Sequence, residues 1–478
     1  MARRSAPGRL MAQRGLPAAF AGLLLALPVA AADENKDLDL IPEAAGQAPE
    51  SVGADAAAQS RQRIFLENAT TGWSVRNSFA VPPPGPPPPD WQERLLLDAR
   101  IEHPLGDGLG VTFSDRFNGM AESDVEFPSH GDVRNDFREG FLSWEPLTQN
   151  YLELGRINLK SGVASGYNPT DFFKTRAVVD RISQDPASLR ENRLGTLMLL
   201  GQTIREGGSL SVAFAPALYR PSPLYPDVLP SFDPMFDRTN AHDRVLIKGS
   251  ASLPYDLDPE LLLYHEGTRT QVGGNLSRAV GQSTVVYAEW AGGEQASLIQ
   301  EALTYGRQTG TLPPEAPSPL PGDPRASFQN AVAVGASYAT ENRITFNLEY
   351  HYHEAGFSGR DWRSWFAAGT ANPNLLSVTG PLWFIRSYAL DQQEPVGRHS
   401  GFLRADWVDA FIPQLELTGF VDVDLHDGSC LVQFTADYYL SNAWTVGAQA
   451  NADLGGARSE FGSLPQAESL LFKVARYF

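Results

Sequence analysis

From the middle of its first hundred residues onward, the chain is written in short stretches in which apolar and polar residues alternate. Leu95, Leu97, Ala99 and Ile101 alternate with Arg94, Asp98, Arg100 and Glu102; after the turn Pro104–Gly108, Val111 and Phe113 alternate with Thr112, Ser114 and Arg116. A period of two is that of a strand with one dry and one wet face. Equivalent stretches fall near 137–145, 151–160, 194–203, 209–217, 242–251, 259–267, 273–280, 284–292, 328–339, 343–354, 399–407, 414–426, 430–440, 443–453 and 467–478. A further strand is expected near 72–81, where Trp73, Val75 and Phe79 alternate with Ser74, Arg76 and Ser78; the proline run Pro82–Pro89 that follows has to be a loop. The total is about 18 strands, with 16 to 20 allowed by uncertain boundaries.

The last stretch, Leu470-Leu471-Phe472-Lys473-Val474-Ala475-Arg476-Tyr477-Phe478, is itself an alternating strand. An unpaired strand edge there invites aggregation, and closing the sheet onto its first strand removes it. Counting back from Phe478 assigns a side to each connection. One side has short turns at 146–150, 205–208, 281–283, 339–342 and 441–442; most connections on the other are long, including 161–193, 218–241, 293–327 and 355–398. That asymmetry is the pattern of an all-β, antiparallel, up-and-down transmembrane barrel. The ending also resembles the C-terminal signal of bacterial outer-membrane β-barrel proteins, although Arg476 stands where that signal carries an apolar or aromatic residue. The resemblance implies insertion machinery acting through the Phe478 strand, and residence in the bacterial cell outer membrane.

Composition fits such a barrel. Hydrophobic residues make up 42% and the mean hydropathy is −0.25. No run after Asp33 reaches the ~18 apolar residues of a transmembrane helix; in a barrel only alternate residues meet lipid, and 25 Phe, 15 Tyr and 9 Trp are there to form aromatic girdles. Arg3, Arg4, Arg9 and Arg14, the apolar Leu16–Val29 and the small Ala30–Ala32 read as a signal peptide over residues 1–32. Residues 33–70 read as a flexible acidic periplasmic extension, and 71–478 as the barrel. The formal charge of −18 becomes −22 once the four leader arginines are gone, leaving 34 basic against 56 acidic residues. Nucleic-acid binding, which needs a basic footprint, is excluded. The lone Cys430 has no intrachain disulfide partner.

The most distinctive internal stretch is Leu154–Ala164 followed by Tyr167-Asn168-Pro169-Thr170-Asp171-Phe172-Phe173. It resembles large outer-membrane porin-like families, including alginate-export-type porins. The resemblance implies a channel for passive passage of small hydrophilic or anionic solutes, or for export of an anionic polysaccharide. It also implies a setting of outer-membrane lipid and lipopolysaccharide; a monomer without cofactor is expected. Loop 161–193 is dense in charge, with Lys174, Arg176 and Arg181 among Asp171, Asp180, Asp185, Arg190, Glu191 and Arg193, and a loop of that length is a candidate constriction. Arg94, Arg100, Arg116, Arg138, Arg156 and Lys160, with Asn158, give early strands a cationic face that leans toward anions, unless acids such as Asp98 and Glu102 neutralise it. Glu349, His351 and His353 share one face of a strand opposite Phe346, Leu348, Tyr350 and Tyr352. Two imidazoles at that spacing suit a metal, but hydrogen-bonded lumen residues are the better reading. No Gly-x-Ser-x-Gly turn or recognisable Ser–His or Asp–His set appears, so an enzyme is not expected. A non-transporting adhesin, receptor or structural barrel is the alternative to a channel.

Overall fold

The computed structural model describes residues 60–85, 88–123, 132–224, 232–255, 257–314, 318–322 and 325–478. The leader at 1–32 and the extension as far as residue 59 lie outside them. Eighteen antiparallel strands close into one barrel. β1 to β6 are Arg61–Val75, Trp91–Gly106, Leu109–Glu122, Val133–Leu147, Asn150–Ile157 and Thr196–Arg205; β7 to β12 are Gly208–Ala215, Arg244–Ala251, Leu257–Glu266, Arg269–Val280, Thr284–Gln295 and Ser327–Ala339. β13 to β18 are Ile344–His353, His399–Trp407, Leu415–Asp424, Cys430–Ser441, Trp444–Leu454 and Gln466–Tyr477. Each strand pairs with its neighbours in sequence, and β1 pairs with β18 from Phe65↔Tyr477 to Val75↔Gln466. Phe478 donates its amide to the Ile64 carbonyl at 2.9 Å, so the last residue completes the seam.

Connections on the side where β1 begins and β18 ends are short, at 107–108, 148–149, 206–207, 281–283, 340–343 and 442–443, and none exceeds the 408–414 turn. The opposite side carries the long segments 158–195, 216–243, 296–326 and 354–398. These hold five helices: α1 (Pro186–Glu191), α2 (Phe236–Thr239), α3 (Leu298–Gln308), α4 (Gly359–Ala371) and α5 (Leu376–Gln392). None is long and apolar enough to cross a membrane.

Alternation sorts the strands' side chains into two environments. Outward positions are apolar and exposed, as at Phe113, Leu154, Leu261, Val334, Leu348, Leu403, Phe434 and Phe472. Inward positions such as Asp98, Arg116, Arg138, Arg156, Glu289 and Glu349 are polar and buried. Arg476 faces outward near the end of β18 between the rings of Trp444 and Phe478, at 5.5 and 5.1 Å. An arginine can stand at that level by laying its stem along the aromatic belt.

The sequence expectation is corrected at the first strand. It runs over Arg61–Val75, not 72–81, so ten residues assigned to the extension belong to the sheet. The outward face of β1 carries Asn68, Thr70 and Ser74, which hides the dry–wet alternation. The segment after Val75 leaves the sheet, and Val81 is buried in the helical cap. A fold with lipid outside predicts that Phe472→Arg, placed mid-strand on the outer face, costs about 2–4 kcal/mol in reversible unfolding from lipid vesicles. A change within about 0.5 kcal/mol, the size seen on a water-exposed surface, would contradict it.

Candidate functional site

Segment 158–195 leaves β5, crosses the lumen and returns to β6, and the wall is built to hold it there. Its first turns run against β11 and β13. The Val163 and Ala164 amides donate to Glu289, the latter at 2.5 Å, and Asn168 Nδ2 and Thr170 Oγ1 add bonds of 3.0 Å to the same carboxylate. The Ser165 and Gly166 amides donate to Glu349 at 2.6 and 2.9 Å, and Tyr287 Oη donates to it at 2.6 Å. Consecutive N–H groups around a carboxylate form an anion nest, and here the anion belongs to the wall. Two glycines permit the approach. Gly162 has φ +97°, and a Cβ there would lie 2.6 Å from Glu289 Oε1; a Cβ on Gly166 would lie 2.7 Å from the Phe402 ring.

The return half crosses to the other walls. Asp180 meets Arg94, and Arg116 Nη1 reaches it at 3.2 Å. Asp185 pairs with Arg404 of β14 at 3.1 Å. The Gln184 amide donates to Gln433 Oε1 of β16 at 2.8 Å, and Gln449 of β17 donates to the Ile182 carbonyl at 3.0 Å. Phe172 and Phe173 pack with Tyr264, Leu246 and Met198 in an apolar cluster on the inner wall. The loop therefore touches the lumen wall around its circumference.

Arg94, Arg100, Arg116, Arg138 and Arg156 all sit on the inner wall, and each is already engaged. Arg94 holds Glu67 at 2.6 Å as well as Asp180; Arg100 holds Glu139 at 2.5 Å and Glu102 at 2.9 Å. Arg116 and Arg138 each lie 2.8 Å from Asp98 Oδ2. Arg156 donates to the carbonyls of Gly195 at 2.8 Å and Pro234 at 2.5 Å, with Phe236 stacked 4.9 Å away. Lys160 pairs with Glu191, and Asn158 bonds the Arg190 carbonyl at 3.1 Å. Arg94, Arg116 and Arg156 rivet the loop to the wall, Arg100 and Arg138 pair with acids of the wall itself, and Lys160 and Asn158 bond within the loop, so the anion preference read from them loses its footing. Pairing is also what low dielectric requires, because removing Asp98 would leave two buried guanidiniums short of a counter-charge.

Lys174, Arg176 and Arg181 connect the loop to the cap. Lys174 lies 2.9 Å from Glu394, Arg176 3.2 Å from Asp391, and Arg181 donates to the Leu390 carbonyl at 2.7 Å. Tyr167 Oη donates to Glu394 at 2.5 Å, and Arg238 pairs with Asp391 at 2.7 Å. The C-terminal end of α5 thus rests on the loop. Above it, α3, α4 and α5 enclose an apolar core including Leu303, Trp362, Trp365, Leu382 and Ile385. Arg386 sits among Trp362, Trp365 and Trp383 at 5.1 to 5.5 Å and donates to the Glu460 carbonyl at 2.8 Å.

His351 and His353 are occupied by ordinary bonds. His351 Nε2 lies 2.7 Å from Glu349 and its Nδ1 3.2 Å from Ser400 Oγ; His353 Nδ1 lies 2.9 Å from the Pro395 carbonyl. Among the described residues no three His, Cys, Asp or Glu side chains converge as a metal set. Asp424, on the inner wall, accepts the His426 amide at 2.7 Å beneath the cap. Between loop, cap and wall lies a chamber of about 690 Å³, lined by Tyr167, Ile182, His351, Leu390, Asp422 and Asn451 among others.

Sequence reading missed Glu289, Asp391, Glu394 and the cap. The cap had a signal. Trp362, Trp365 and Phe366 stand at helical spacing, and Ser358 with Asp361 forms a capping box.

No family model matches this chain, and no curated protein matches it. Among solved structures it is similar to Pseudomonas aeruginosa OccK11 (OpdR), at 13% identity over 88% of this chain and 96% of that one, with a TM-score of 0.47. Pseudomonas aeruginosa OccK5 (OpdH) is similar at 10% identity over 88% and 98%, with a TM-score of 0.48. A mutant of the Rh. blastica porin shows 9% identity over 88% and 100%, with a TM-score of 0.39. The strand ladder itself, not these likenesses, establishes the barrel.

Two carboxylates outside the strands, Asp180 of the loop and Glu394 of the cap, make the loop's anchorage respond to pH. Burial works to raise Asp180, but Arg94 and Arg116 hold it below its usual value. Burial likewise opposes Glu394, and Lys174 and His353 outweigh it. A group depressed in the folded state stabilises above its unfolded pKa, about 4 for these acids, and that contribution is lost as pH falls through the folded value. Protection of the loop amides from hydrogen exchange, corrected for intrinsic rates, is expected to hold from neutral pH down to about 5 and to fail only below about 4. A transition centred between pH 6 and 7 would contradict the assignment.

Proposed function

We propose that the chain is an outer-membrane channel through which small hydrophilic solutes pass down their gradients, with segment 158–195 as its constriction. The carrying observation is the chamber beside the inward loop, lined by polar and apolar side chains together, inside a barrel whose inward wall is polar and whose outer face is apolar. Lipid takes the outer face and water the inner one, which is the division a pore requires. The β18 strand ending at Phe478 is the element we assign to recognition by insertion machinery, and the leader read at 1–32 supplies export. Lipopolysaccharide is the neighbour expected on the long-loop side.

Passage narrows where the loop crosses, and what fits through depends on how firmly the loop is held. A chamber of about 690 Å³ accommodates a small solute. An extended polysaccharide would have to displace both loop and cap, so the alginate-export reading loses support. The α5 contacts through Lys174, Arg176 and Arg181 tie cap and constriction together, so widening the passage for a larger solute requires them to yield jointly.

Purified protein in planar bilayers is expected to give discrete conductance steps. Glu289→Ala, which removes the acceptor for the Val163 and Ala164 amides, should raise single-channel conductance roughly twofold or more by freeing the loop. Absence of conductance at any voltage, in the parent and in Glu289→Ala, would favour a non-transporting receptor, adhesin or structural barrel.

A further inference from the structure

On β1 to β4 the barrel's outer face departs from its apolar pattern. Asn68 and Thr70 of β1, Glu93 of β2, Asp115 of β3 and Asn135 of β4 all occupy outward positions. The intervening inward side chains Ala69, Thr71, Arg94, Ser114 and Arg116 are buried, and the outward neighbours Leu97, Phe113 and Phe117 are exposed. Asn68 and Asp115 fall near the midpoints of their strands, Glu93 and Asn135 nearer the long-loop side. Comparable positions elsewhere are Leu263, Val334, Leu348, Leu403, Phe434 and Phe472.

Within the chain these groups are only partly satisfied. Asn68 Nδ2 donates to Glu93 Oε1 at 2.7 Å, Thr70 Oγ1 also donates to Glu93, and Asn135 Nδ2 donates to Asp115 Oδ1 at 2.8 Å. Each carboxylate has about four acceptor sites, so Glu93, with Asn68 and Thr70, and Asp115, with Asn135 and the Arg116 amide, both keep acceptor capacity on the outer face. Acyl chains offer no donor to receive them.

We propose that this stripe is a contact between two copies of the chain lying side by side in the membrane. It holds amide donors and carboxylate acceptors in one patch, which is the composition self-association needs. Copies inserted in the same sense and related by a two-fold axis along the membrane normal bring β1 and β2 of one against β3 and β4 of the other. Glu93 then meets Asn135 of the second copy at the upper level, and Asn68 meets Asp115 of the second copy at mid-strand. Phe113 and Phe117 supply an apolar surround. The inference rests on the outer face meeting lipid, as the proposed function does, but it does not depend on conduction, and it departs from the monomer expected from sequence.

The test uses the full chain in bacterial outer membranes, with Cys430→Ala to remove the native thiol. Leu97→Cys, on the outer face of β2 between the two halves of the stripe and so beside the two-fold axis, is expected to form inter-chain disulfides on mild oxidation, whereas Phe434→Cys, on the apolar face, forms none. Native mass spectrometry of the extracted parent should give two chains per particle. The triple variant Asn68→Val, Glu93→Val and Asp115→Val, whose stripe is compatible with lipid, should be a folded monomer. A monomeric parent with no Leu97→Cys crosslink overturns the proposal. So does a dimer that persists in the triple variant, or a monomer that retains lipopolysaccharide only while the stripe is intact. Conductance in a monomeric parent would leave the channel reading standing while removing this one.

Discussion

A backbone amide in hydrocarbon has no water to turn to, so each must find its partner inside the sheet, and the β1–β18 ladder is where that demand is finally met. The register from Phe65↔Tyr477 to Val75↔Gln466 closes the sheet and leaves no transmembrane edge. Closure fixes two faces, and alternation then divides side chains between them. The dry outer wall and the charged inner wall follow from that single requirement.

Inside, the governing problem is reversed. A polar lumen filled by a long segment would strand amides and charges unless wall and loop satisfy each other. Glu289 and Glu349 answer for the amides from Val163 to Gly166, and Arg94, Arg116 and Arg404 answer for Asp180 and Asp185. The arginines are therefore structural before they are selective. Because α5 rests on the same loop through Asp391 and Glu394, the cap inherits its position from these contacts.

Much of this was legible in sequence because a period of two is local. Seventeen strands lie where alternation puts them, and the short-turn side follows from counting back from Phe478. β1 was misplaced because its outer face is polar at Asn68, Thr70 and Ser74, the feature that also marks it for a contact other than lipid. The helices α3 to α5 fall in stretches that a period of two marks as connections, because Trp362, Trp365 and Phe366 recur at helical spacing instead. Arg94, Arg116, Arg138 and Arg156 lie buried on the inner wall, but what each one holds is not readable from the sequence. Whether Arg94 is free or paired depends on Asp180, 86 residues away, and no local pattern carries that distance.

The central claim is that segment 158–195 lies across the lumen of a membrane barrel. In cells carrying Cys430→Ala, Thr170→Cys and Gly273→Cys, a disulfide between loop and β10 should form without added oxidant, because a Cβ at position 273 lies 3.1 Å from the Thr170 methyl carbon, within disulfide reach. Mass analysis of the protein extracted from outer membranes reads it directly. Near-complete crosslinking with the barrel folded is the predicted result. Two free thiols in a folded barrel would place the loop outside the lumen and contradict the account.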